Sequence, residues 1–368
     1  MRILLSGASF AGLATAYWLR QLGHTVAIVE LAPSLRTGGT AVNIRGNTID
    51  IARRMGILDA IRANRLNLTR WELKNADGVT ERALVIRAPG EPPPDDELEV
   101  ERDVLLQLLV GLVPEIELSF GDSITALHET ASEVAVTFAK GAPRTFDLVL
   151  GCDGVHSIVR KLAFGREADY LVFLEQYFSI SIVDKLLIER DTAQMFNVPG
   201  KCVMLNAYKD KTDIIFGFVA ERELAYDRRD EAQQRRIIAE QFAGVPWRTP
   251  ELLREVAGST SFYFDKLCQI RMPAWSKGRV ALVGDAGYCP SPAAGMGGSL
   301  ALDGAAALAD AMRAHGDDFT AAFRAYDAAL RPFVEEVQAE AVRTGLETLV
   351  PRTEEAIRAR NAREDGGF

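Results

Sequence analysis

The residues best suited to chemistry begin at a glycine-rich turn near the start of the chain. Gly7-Ala8-Ser9-Phe10-Ala11-Gly12 follows a short apolar run and opens a stretch with helical spacing. In the dinucleotide pattern G-x-G-x-x-G, the three glycines allow a tight turn, close approach of backbone to a pyrophosphate, and close packing of helix on strand. The pyrophosphate is held by free N–H groups at the helix N-terminus. Ser9 stands at the middle position, where its small side chain still permits that approach.

An acidic residue follows at the expected distance. Glu30 ends the next apolar run 18 residues after Gly12, close to the ~20 typical of a carboxylate that accepts hydrogen bonds from a ribose. The alternative is a glycine turn of any α/β protein, with Glu30 as a solvated charge at the end of a strand. The strand–turn–helix context favours nucleotide binding, although it does not separate FAD from NAD.

A second candidate site begins at Gly284-Asp285-Ala286 and continues through Pro292 to Gly295-Met296-Gly297-Gly298. A carboxylate at the end of a buried strand lies where open α/β sheets bind ligands, so Asp285 can accept a hydrogen bond from a polyol. Glycines just before a helix expose N–H groups to an anion or an electron-rich ring edge. A tight loop with Asp285 as a helix cap fits this segment equally well.

A third junction of the same kind is Cys152-Asp153-Gly154-Val155-His156-Ser157, with Arg160 one helical turn further on. An acid stands at its tip, and Ser157 has the character of a helix N-cap. Alone, this segment is a weak signal.

The elements that must position these turns follow from hydrophobic periodicity. Arg2 to Ser6, Ala11 to Leu22 and Thr25 to Val29 predict a strand, a helix and a strand, which form a βαβ unit of a parallel sheet. Residues 166–272 carry many alternating runs and predict a separate sheet. Other expected elements are a helix over 47–64 interrupted at Gly56, an exposed loop over 89–96, a helix over 102–112, a small meander over 124–146, a strand over 147–150 and C-terminal helices over 299–314 and 320–345.

The composition excludes several other classes of protein. A net charge of -9 argues against nucleic acid as a partner, because phosphate binding needs clustered Lys and Arg. The four cysteines and four histidines are dispersed, so we expect neither a metal site nor a disulfide framework. Glycines interrupt the apolar N-terminus and no apolar run reaches the length of a membrane span. We therefore expect a soluble, cytoplasmic protein without a membrane partner.

Together, these three segments resemble the flavoprotein monooxygenases of the aromatic-hydroxylase family. The first resembles the FAD fingerprint of that family. Asp153-Gly154 with Ser157 and Arg160 resembles its "DG" motif, and Gly284-Asp285 with Pro292 and Gly295 resembles its "GD" motif. The resemblance covers nearly the whole chain. Two departures are Ser9 in place of glycine and Tyr288 in place of the usual histidine, and Tyr288 puts in doubt any role of that histidine.

The resemblance also implies which residues contact the cofactor. Asp285 would hold the ribityl chain, Pro292 would lie beside the isoalloxazine, and the backbone of 295–298 would face the pyrimidine edge of the flavin. No catalytic residue is assigned beyond Pro292 beside the ring. The full expected cofactor-binding set is Gly7, Ser9, Phe10, Ala11, Gly12, Glu30, Arg36, Arg102, Asp153, Asp285, Pro292, Gly295, Met296, Gly297 and Gly298.

The implied fold is α/β, with a Rossmann-like FAD-binding domain, an inserted and mostly antiparallel β-sheet substrate domain, and C-terminal helices. The expected FAD-binding parts are residues 1–70, 99–165 and 273–315, the substrate parts are 71–98 and 166–272, and the C-terminal helices occupy 316–368. Substrate contacts are expected from the middle sheet and a residue near the flavin: Arg45, Phe196, Met204, Phe216 and Phe218.

The implied activity is a single-component monooxygenase that uses NAD(P)H and O₂ to hydroxylate a small aromatic or polyketide-like molecule through a flavin C4a-hydroperoxide. The segment from Gly38 to Ile44 is similar to tetracycline-inactivating members, which hints at a polycyclic substrate. A halogenase would need W-x-W-x-I and an amine oxidase G-G-R, and neither motif is present. A flavin-binding protein without turnover, another FAD-dependent oxidoreductase of the same fold and an NAD-dependent dehydrogenase remain alternatives. Substrate identity, the choice of NADH or NADPH, and oligomeric state stay open.

Overall fold

The computed structural model of the chain describes residues 1–36, 38–88, 91 and 97–363. Its first three elements are β1 (Arg2–Ser6), α1 (Phe10–Gln21) and β2 (Thr25–Glu30). β1 and β2 are parallel neighbours, which confirms the predicted βαβ unit. The predicted loop over 89–96 lies, except for Glu91, outside the described residues.

The further strands within the described residues are β3 (Val42–Arg45), β4 (Arg70–Lys74), β5 (Thr80–Val85), β6 (Glu97–Val100), β7 (Glu117–Phe120), β8 (Ile124–Glu129), β9 (Val134–Phe138), β10 (Arg144–Phe146), β11 (Leu148–Gly151), β12 (Leu171–Val183), β13 (Thr192–Val198), β14 (Lys201–Tyr208), β15 (Lys211–Val219), β16 (Ser261–Ile270), β17 (Ser276–Lys277) and β18 (Val280–Leu282). The further helices are α2 (Asn47–Arg54), α3 (Leu58–Ala63), α4 (Arg102–Gly111), α5 (Ile158–Ala163), α6 (Glu231–Gln241), α7 (Thr249–Gly258), α8 (Asp285–Tyr288), α9 (Gly297–His315), α10 (Phe319–Glu340), α11 (Leu346–Leu349) and α12 (Glu354–Ala362). Short 3₁₀ turns cover Glu167–Asp169 and Pro292–Ala294, and a π-helical turn covers Ala341–Gly345.

The first large sheet has the strand order β17-β18-β11-β1-β2-β7. Every neighbouring pair in it is parallel except β17 with β18. β18, β11 and β1 are therefore adjacent strands that run in the same direction, although they are far apart in the sequence. Because parallel strands end at the same edge, the turns that follow these three strands must lie side by side.

The second large sheet has the order β16-β12-β15-β14-β13-β4-β5. It is antiparallel except for the β13–β4 pair, and its strands come from two separate parts of the chain. One face is covered by α6 and α7, and the apolar core between them is separate from the core of the first sheet. This arrangement confirms the expected fold class of a parallel sheet with an inserted, mostly antiparallel sheet.

The C-terminal helices connect the two sheets. α10 packs along α9, and the chain then passes through the π-helical turn to α11. Gly345 in that turn lies against the backbone of the Pro292–Ala294 turn, where a Cβ would come within 2.3 Å of the Ala293 carbonyl oxygen. Further on, Val350 packs against Gly217 of β15. This segment therefore spans from the glycine-rich turn before α9 to the second sheet.

Within the described residues, no helix is both long enough and apolar enough to cross a bilayer. The same part of the chain contains no group of three or more His, Cys, Asp or Glu side chains placed to hold a metal ion.

Candidate functional site

The turn after β1 has a shape that only glycine permits. Gly7 has a φ of +105°, and a Cβ on it would lie 2.4 Å from the carbonyl oxygen of Cys152. A Cβ on Gly12 would lie 1.9 Å from the carbonyl oxygen of Gly7. The first turn of α1 therefore packs directly on the glycine turn, and the glycine turn packs on the residue that follows β11. The first and third sequence motifs are therefore in contact.

The N-terminus of α1 leaves room for an anion. Ser9 is the N-cap residue, and its side chain makes no capping hydrogen bond. The first N–H groups of a helix have no partner within the helix, and the helix dipole favours negative charge there. The hydroxyl of Ser9 instead accepts a hydrogen bond from Nη2 of Arg102 at 3.3 Å. The open N–H groups, the glycine turn and the nearby guanidinium together fit a diphosphate.

Glu30 lies beneath this turn and is not a solvated strand end. It is only 7% exposed. Its Oε2 accepts the N–H of Ala8 and its Oε1 accepts the N–H of Ala32, both at 2.8 Å. A carboxylate offers about four acceptor sites, so Glu30 can hold the turn and still accept from a ribose hydroxyl. The alternative, that Glu30 is a solvated charge at the end of a strand, is therefore wrong.

The two arginines implied by the resemblance both reach this region. Nη1 of Arg102 donates to the carbonyl oxygens of Arg36 at 2.7 Å and Gly38 at 3.2 Å. Its guanidinium also lies over the ring of Phe10, 5.3 Å from the centroid. The guanidinium of Arg36 is largely exposed and lies 3.7 Å from Oε1 of Glu30. Arg102 thus ties Arg36 and Gly38 to the start of α1, while the guanidinium of Arg36 stays largely exposed.

The turn after β18 lies against the same helix end. Gly284 has a φ of +67°, and a Cβ on it would lie 2.9 Å from the Cβ of Ala11. Asp285 follows at the start of α8. Among the described residues, its carboxyl has one hydrogen-bond partner, the thiol of Cys289, and burial raises its pKa to about 6. A half-buried carboxyl with so weak a donor fits a ligand that brings hydroxyl groups.

The segment between α8 and α9 is held in an unusual backbone conformation. Ser291 is buried and has a φ of +84°, which is uncommon for a residue other than glycine. Pro292 opens the 3₁₀ turn that follows, and Gly295 closes it in the left-handed region. A sparsely populated conformation held by its surroundings is frequent at ligand sites.

α9 begins directly after this segment, and no side chain caps it. Gly297 faces open space, whereas a Cβ on Gly298 would lie 3.3 Å from the Cβ of Val42 in β3. β3 also contributes Arg45, whose Nε lies 2.8 Å from the sulfur of Met296. The free N–H groups at the start of α9 therefore border a cleft that has β3 along one side.

The carboxylate of Asp153 is occupied within the protein. It accepts hydrogen bonds from the hydroxyls of Ser6 and Ser157 and from the N–H groups of Ile158 and Val159. Burial raises its pKa, and the hydrogen bond from Ser157 opposes that shift. With these four donors Asp153 joins β1 to the start of α5, so any contact with a cofactor must come from the backbone of this turn.

Arg160 connects the third motif to the second. Its side chain is fully buried, and Nη1 donates to the carbonyl oxygen of Ala286 at 2.8 Å. Nη2 donates to the carbonyl oxygen of Val155 at 2.6 Å. The structure therefore brings all three motifs together at one edge of the parallel sheet.

Tyr288, which replaces the usual histidine, is a packing residue. Its hydroxyl lies 2.9 Å from the hydroxyl of Tyr326 and rests on Gly304 of α9, where a Cβ would be 1.8 Å away. The ring is buried. The hydroxyl thus points into α9 and away from the cleft.

Three of the expected substrate contacts lie on the wrong face of the second sheet. Phe196, Phe216 and Phe218 are at most 3% exposed and belong to the core beneath α6 and α7. The ring centroid of Phe216, for example, is 4.7 Å from that of Phe242 in this core. Because side chains alternate along a strand, these rings point away from the cleft. We therefore do not retain them as substrate contacts.

The opposite face of that sheet carries Met204 and Ile215, which are paired across β14 and β15 and are half-buried. Met204 keeps its place among the substrate candidates, as does Arg45 beside Met296.

Tyr263 and Asp265 in β16, which were not predicted from the sequence, lie on the same face of this sheet as Met204. Tyr263 is 47% exposed, and its hydroxyl donates to Oδ2 of Asp265 at 3.2 Å. Ser261, two residues before Tyr263 and on the same face of β16, lies against Gly38, where a Cβ would be 3.4 Å from its Oγ, so Tyr263 borders the cleft. The available signal was the alternation of these two polar groups with apolar residues in Ser261–Ile270.

Comparison with known proteins agrees with this geometry. A family model described as "FAD binding domain" matches residues 1–341. A flavin-dependent monooxygenase of Legionella longbeachae serogroup 1 (strain NSW150) is 34% identical over 339 residues, covering 91% of this chain and 86% of the relative. An uncharacterized protein of Mycobacterium tuberculosis (strain CDC 1551 / Oshkosh) is 39% identical over 342 residues, covering 91% of each chain. The crystal structure of tetracycline destructase Tet(51) superposes with a TM-score of 0.88 at 33% identity, covering 99% of this chain and 95% of that one.

Proposed function

Because this chain belongs to the FAD binding domain family and is an FAD-dependent monooxygenase of the aromatic-hydroxylase type, we propose that it uses NAD(P)H and O₂ to hydroxylate a small organic molecule. We further propose that the parallel sheet holds the cofactor and that the seven-stranded sheet holds the substrate. We also propose that the FAD-binding and substrate domains have the boundaries that were expected from the sequence.

One observation carries the assignment of the cofactor site. The turns after β1, β11 and β18 meet at one edge of the sheet, with Gly7 against Cys152 and Gly284 against Ala11. An elongated ligand with a diphosphate and a hydroxyl-bearing arm fits this edge, since the α1 N-terminus offers free N–H groups and Asp285 offers a carboxyl. A dehydrogenase that binds only NAD would have no use for Asp285 and the glycine cluster before α9.

When bound, FAD supplies the redox chemistry and the activation of O₂. The chain's own residues hold, orient and enclose the reactants. The α1 N-terminus would bind the diphosphate, Glu30 the ribose, Asp285 the sugar-alcohol arm, and the N–H groups of Gly297 and Gly298 the polar edge of the ring. The second sheet would then cover the ring and exclude water. Without water, the activated oxygen is kept for the substrate and is not lost as hydrogen peroxide.

We propose a polycyclic, polyketide-like phenolic substrate. The likeness to a protein named for destroying tetracycline, at 33% identity over nearly the whole chain, supports this class. The half-buried apolar side chains of Met204 and Ile215 offer a surface for flat rings, and the guanidinium of Arg45 can bind an oxygen-rich edge.

The test is NAD(P)H oxidation by the FAD-loaded protein, followed together with O₂ consumption over a panel of phenols, from single rings to four fused rings. We expect a polycyclic phenol to accelerate both rates equally and to gain one oxygen atom by mass spectrometry. The same compounds with their hydroxyl groups methylated serve as controls, because they can bind but offer no phenol to oxidise. Oxidation that no compound stimulates, with hydrogen peroxide as the sole product, would contradict the proposed activity.

A further inference from the structure

A chain of hydrogen bonds leads from the cleft to the surface. Tyr263 donates to Oδ2 of Asp265 at 3.2 Å, and the same oxygen lies 3.3 Å from Nε2 of His156. Nδ1 of His156 lies 3.0 Å from Oε2 of Glu167. Each neighbouring pair is therefore joined through polar atoms. These hydrogen bonds lead from β16 of the second sheet to His156 before α5 and then to Glu167 after α5.

The exposure of these side chains gives the chain two open ends. Tyr263 is 47% exposed, and Ser261 on the same face of β16 lies against Gly38, whose carbonyl oxygen accepts a hydrogen bond from Arg102. The side chain of Asp265 is 10% exposed and lies in the middle. Glu167 is 31% exposed at the other end.

Monooxygenation needs such a connection. Oxidation of one NAD(P)H by O₂ consumes one proton from solvent, whether the products are hydroxylated substrate and water or hydrogen peroxide alone. A site that excludes water must receive this proton through groups that can both accept and donate one. A phenol, a carboxylate and an imidazole are such groups, and nothing in the flavin-binding role of the three motifs requires them to be joined.

We propose that Glu167, His156, Asp265 and Tyr263 form a path that carries protons from solvent to the cleft, with Tyr263 as its inner end. This inference rests on the proposed function. For each proton that passes from Glu167 to Nδ1 of His156, the imidazole passes the proton on Nε2 to Asp265. The hydroxyl of Tyr263 turns toward the cleft, its oxygen accepts the proton from Asp265, and its original proton is released into the cleft. A flip of the imidazole ring then restores its starting tautomer, and no electrons move.

The charges around His156 keep it ready to donate. Burial opposes protonation, but the hydrogen bonds to Asp265 and Glu167 outweigh it and raise the pKa of His156 above its usual value. Arg160 and Arg228 face Glu167 from the other side, at 3.4 and 3.9 Å. The imidazole therefore loses its proton only as the pH rises through this raised pKa, and turnover should fall over the same interval.

Asp265 also provides a matched control. Its Oδ1 accepts the hydroxyl of Tyr226 at 3.4 Å, and the ring of Tyr226 is partly buried against the core under α6 and α7. Tyr226→Phe and Tyr263→Phe therefore each remove one hydroxyl that donates to the carboxylate of Asp265, but the Tyr226 hydroxyl lies off the path.

The experiment measures NAD(P)H oxidation by the FAD-loaded variants with O₂ alone, so that no substrate need be known. Tyr263→Phe should lower kcat on the order of 100-fold, the low end of what a positioned acid or base contributes, with unchanged KM, FAD content and Tm. Tyr226→Phe should retain wild-type kcat, and His156→Gln should remove the alkaline fall in the pH profile. Equal kcat values for the two tyrosine variants would overturn the path.

A readout without turnover separates this inference from the proposed function. In the FAD-loaded protein, NMR titration of the His156 ring should show a pKa that falls in Asp265→Asn, because the acceptor loses its charge. An unchanged pKa would overturn the hydrogen-bonded chain even in an active enzyme. If the wild type oxidises no NAD(P)H, both the proposed function and the proton path are wrong. The NMR titration still decides whether the hydrogen bonds from His156 to Asp265 exist.

Discussion

Replacement of Asp285 by alanine should weaken FAD binding roughly 10- to 150-fold. The carboxyl has only the thiol of Cys289 as a partner among the described residues, so a ligand hydroxyl would be its main hydrogen-bond donor. A hydrogen bond to a charged group contributes about 1.5–3 kcal/mol, which corresponds to that range of Kd. Titration of the apoprotein with FAD, followed by quenching of flavin fluorescence, measures the effect.

The stability of the Asp285→Ala apoprotein distinguishes a binding role from a folding role. Burial raises the pKa of Asp285 to about 6, above its ordinary value, so the ionised carboxyl destabilises the empty site at neutral pH. The Tm of the alanine apoprotein should thus equal or exceed that of the wild type at pH 7. Asp285→Asn keeps an acceptor oxygen and should bind FAD with intermediate affinity. Wild-type FAD affinity in the alanine variant would show that Asp285 does not touch the cofactor.

The second large effect is expected from Gly12→Ala. The added Cβ would lie 1.9 Å from the carbonyl oxygen of Gly7, and this neighbour is backbone that cannot rotate away. α1 must then move off the turn, which should cost about 1–3 kcal/mol as overpacking does in other cores. The displaced helix end no longer faces the diphosphate, so FAD affinity should fall as well. Thermal unfolding of the apoprotein and flavin content after purification measure the two consequences.

Gly111→Ala is the matched control for this substitution. Gly111 ends α4, and a Cβ there would meet no atom within 4 Å. Alanine is preferred over glycine in a helix by roughly 0.5–1 kcal/mol, so this variant should be at least as stable as the wild type and keep its flavin content. A Gly12→Ala protein that matches it in both properties would mean that the contact between α1 and the turn is not as tight as described.

The sequence predicted the elements of the parallel sheet because their signals are local. An apolar strand, a glycine turn and a largely apolar helix occupy adjacent residues, and the bounds of β1 and α1 fall within one residue of expectation. Three separate glycine-rich junctions also pointed to a shared edge. That edge forms because β18, β11 and β1 are neighbours in the sheet.

The remaining features depend on contacts between distant residues. Strand alternation places Phe216 and Phe218 on one face of β15, but the sequence does not say that α6 and α7 cover that face. The hydrogen bonds that occupy the carboxylate of Asp153 likewise include one from Ser6, 147 residues away. The path through Tyr263 and His156 was not predicted for the same reason, since its members meet only across the boundary between the two sheets.

The most direct test of the central claim, that three turns bind one elongated cofactor, is an equilibrium titration of the wild-type apoprotein with FAD, monitored by visible absorption. We expect a yellow protein with one FAD per chain, and a shared loss of that FAD in Gly12→Ala and Asp285→Ala. A preparation that stays colourless in excess FAD, or that binds NAD at the Gly7 turn and no flavin, would contradict the claim.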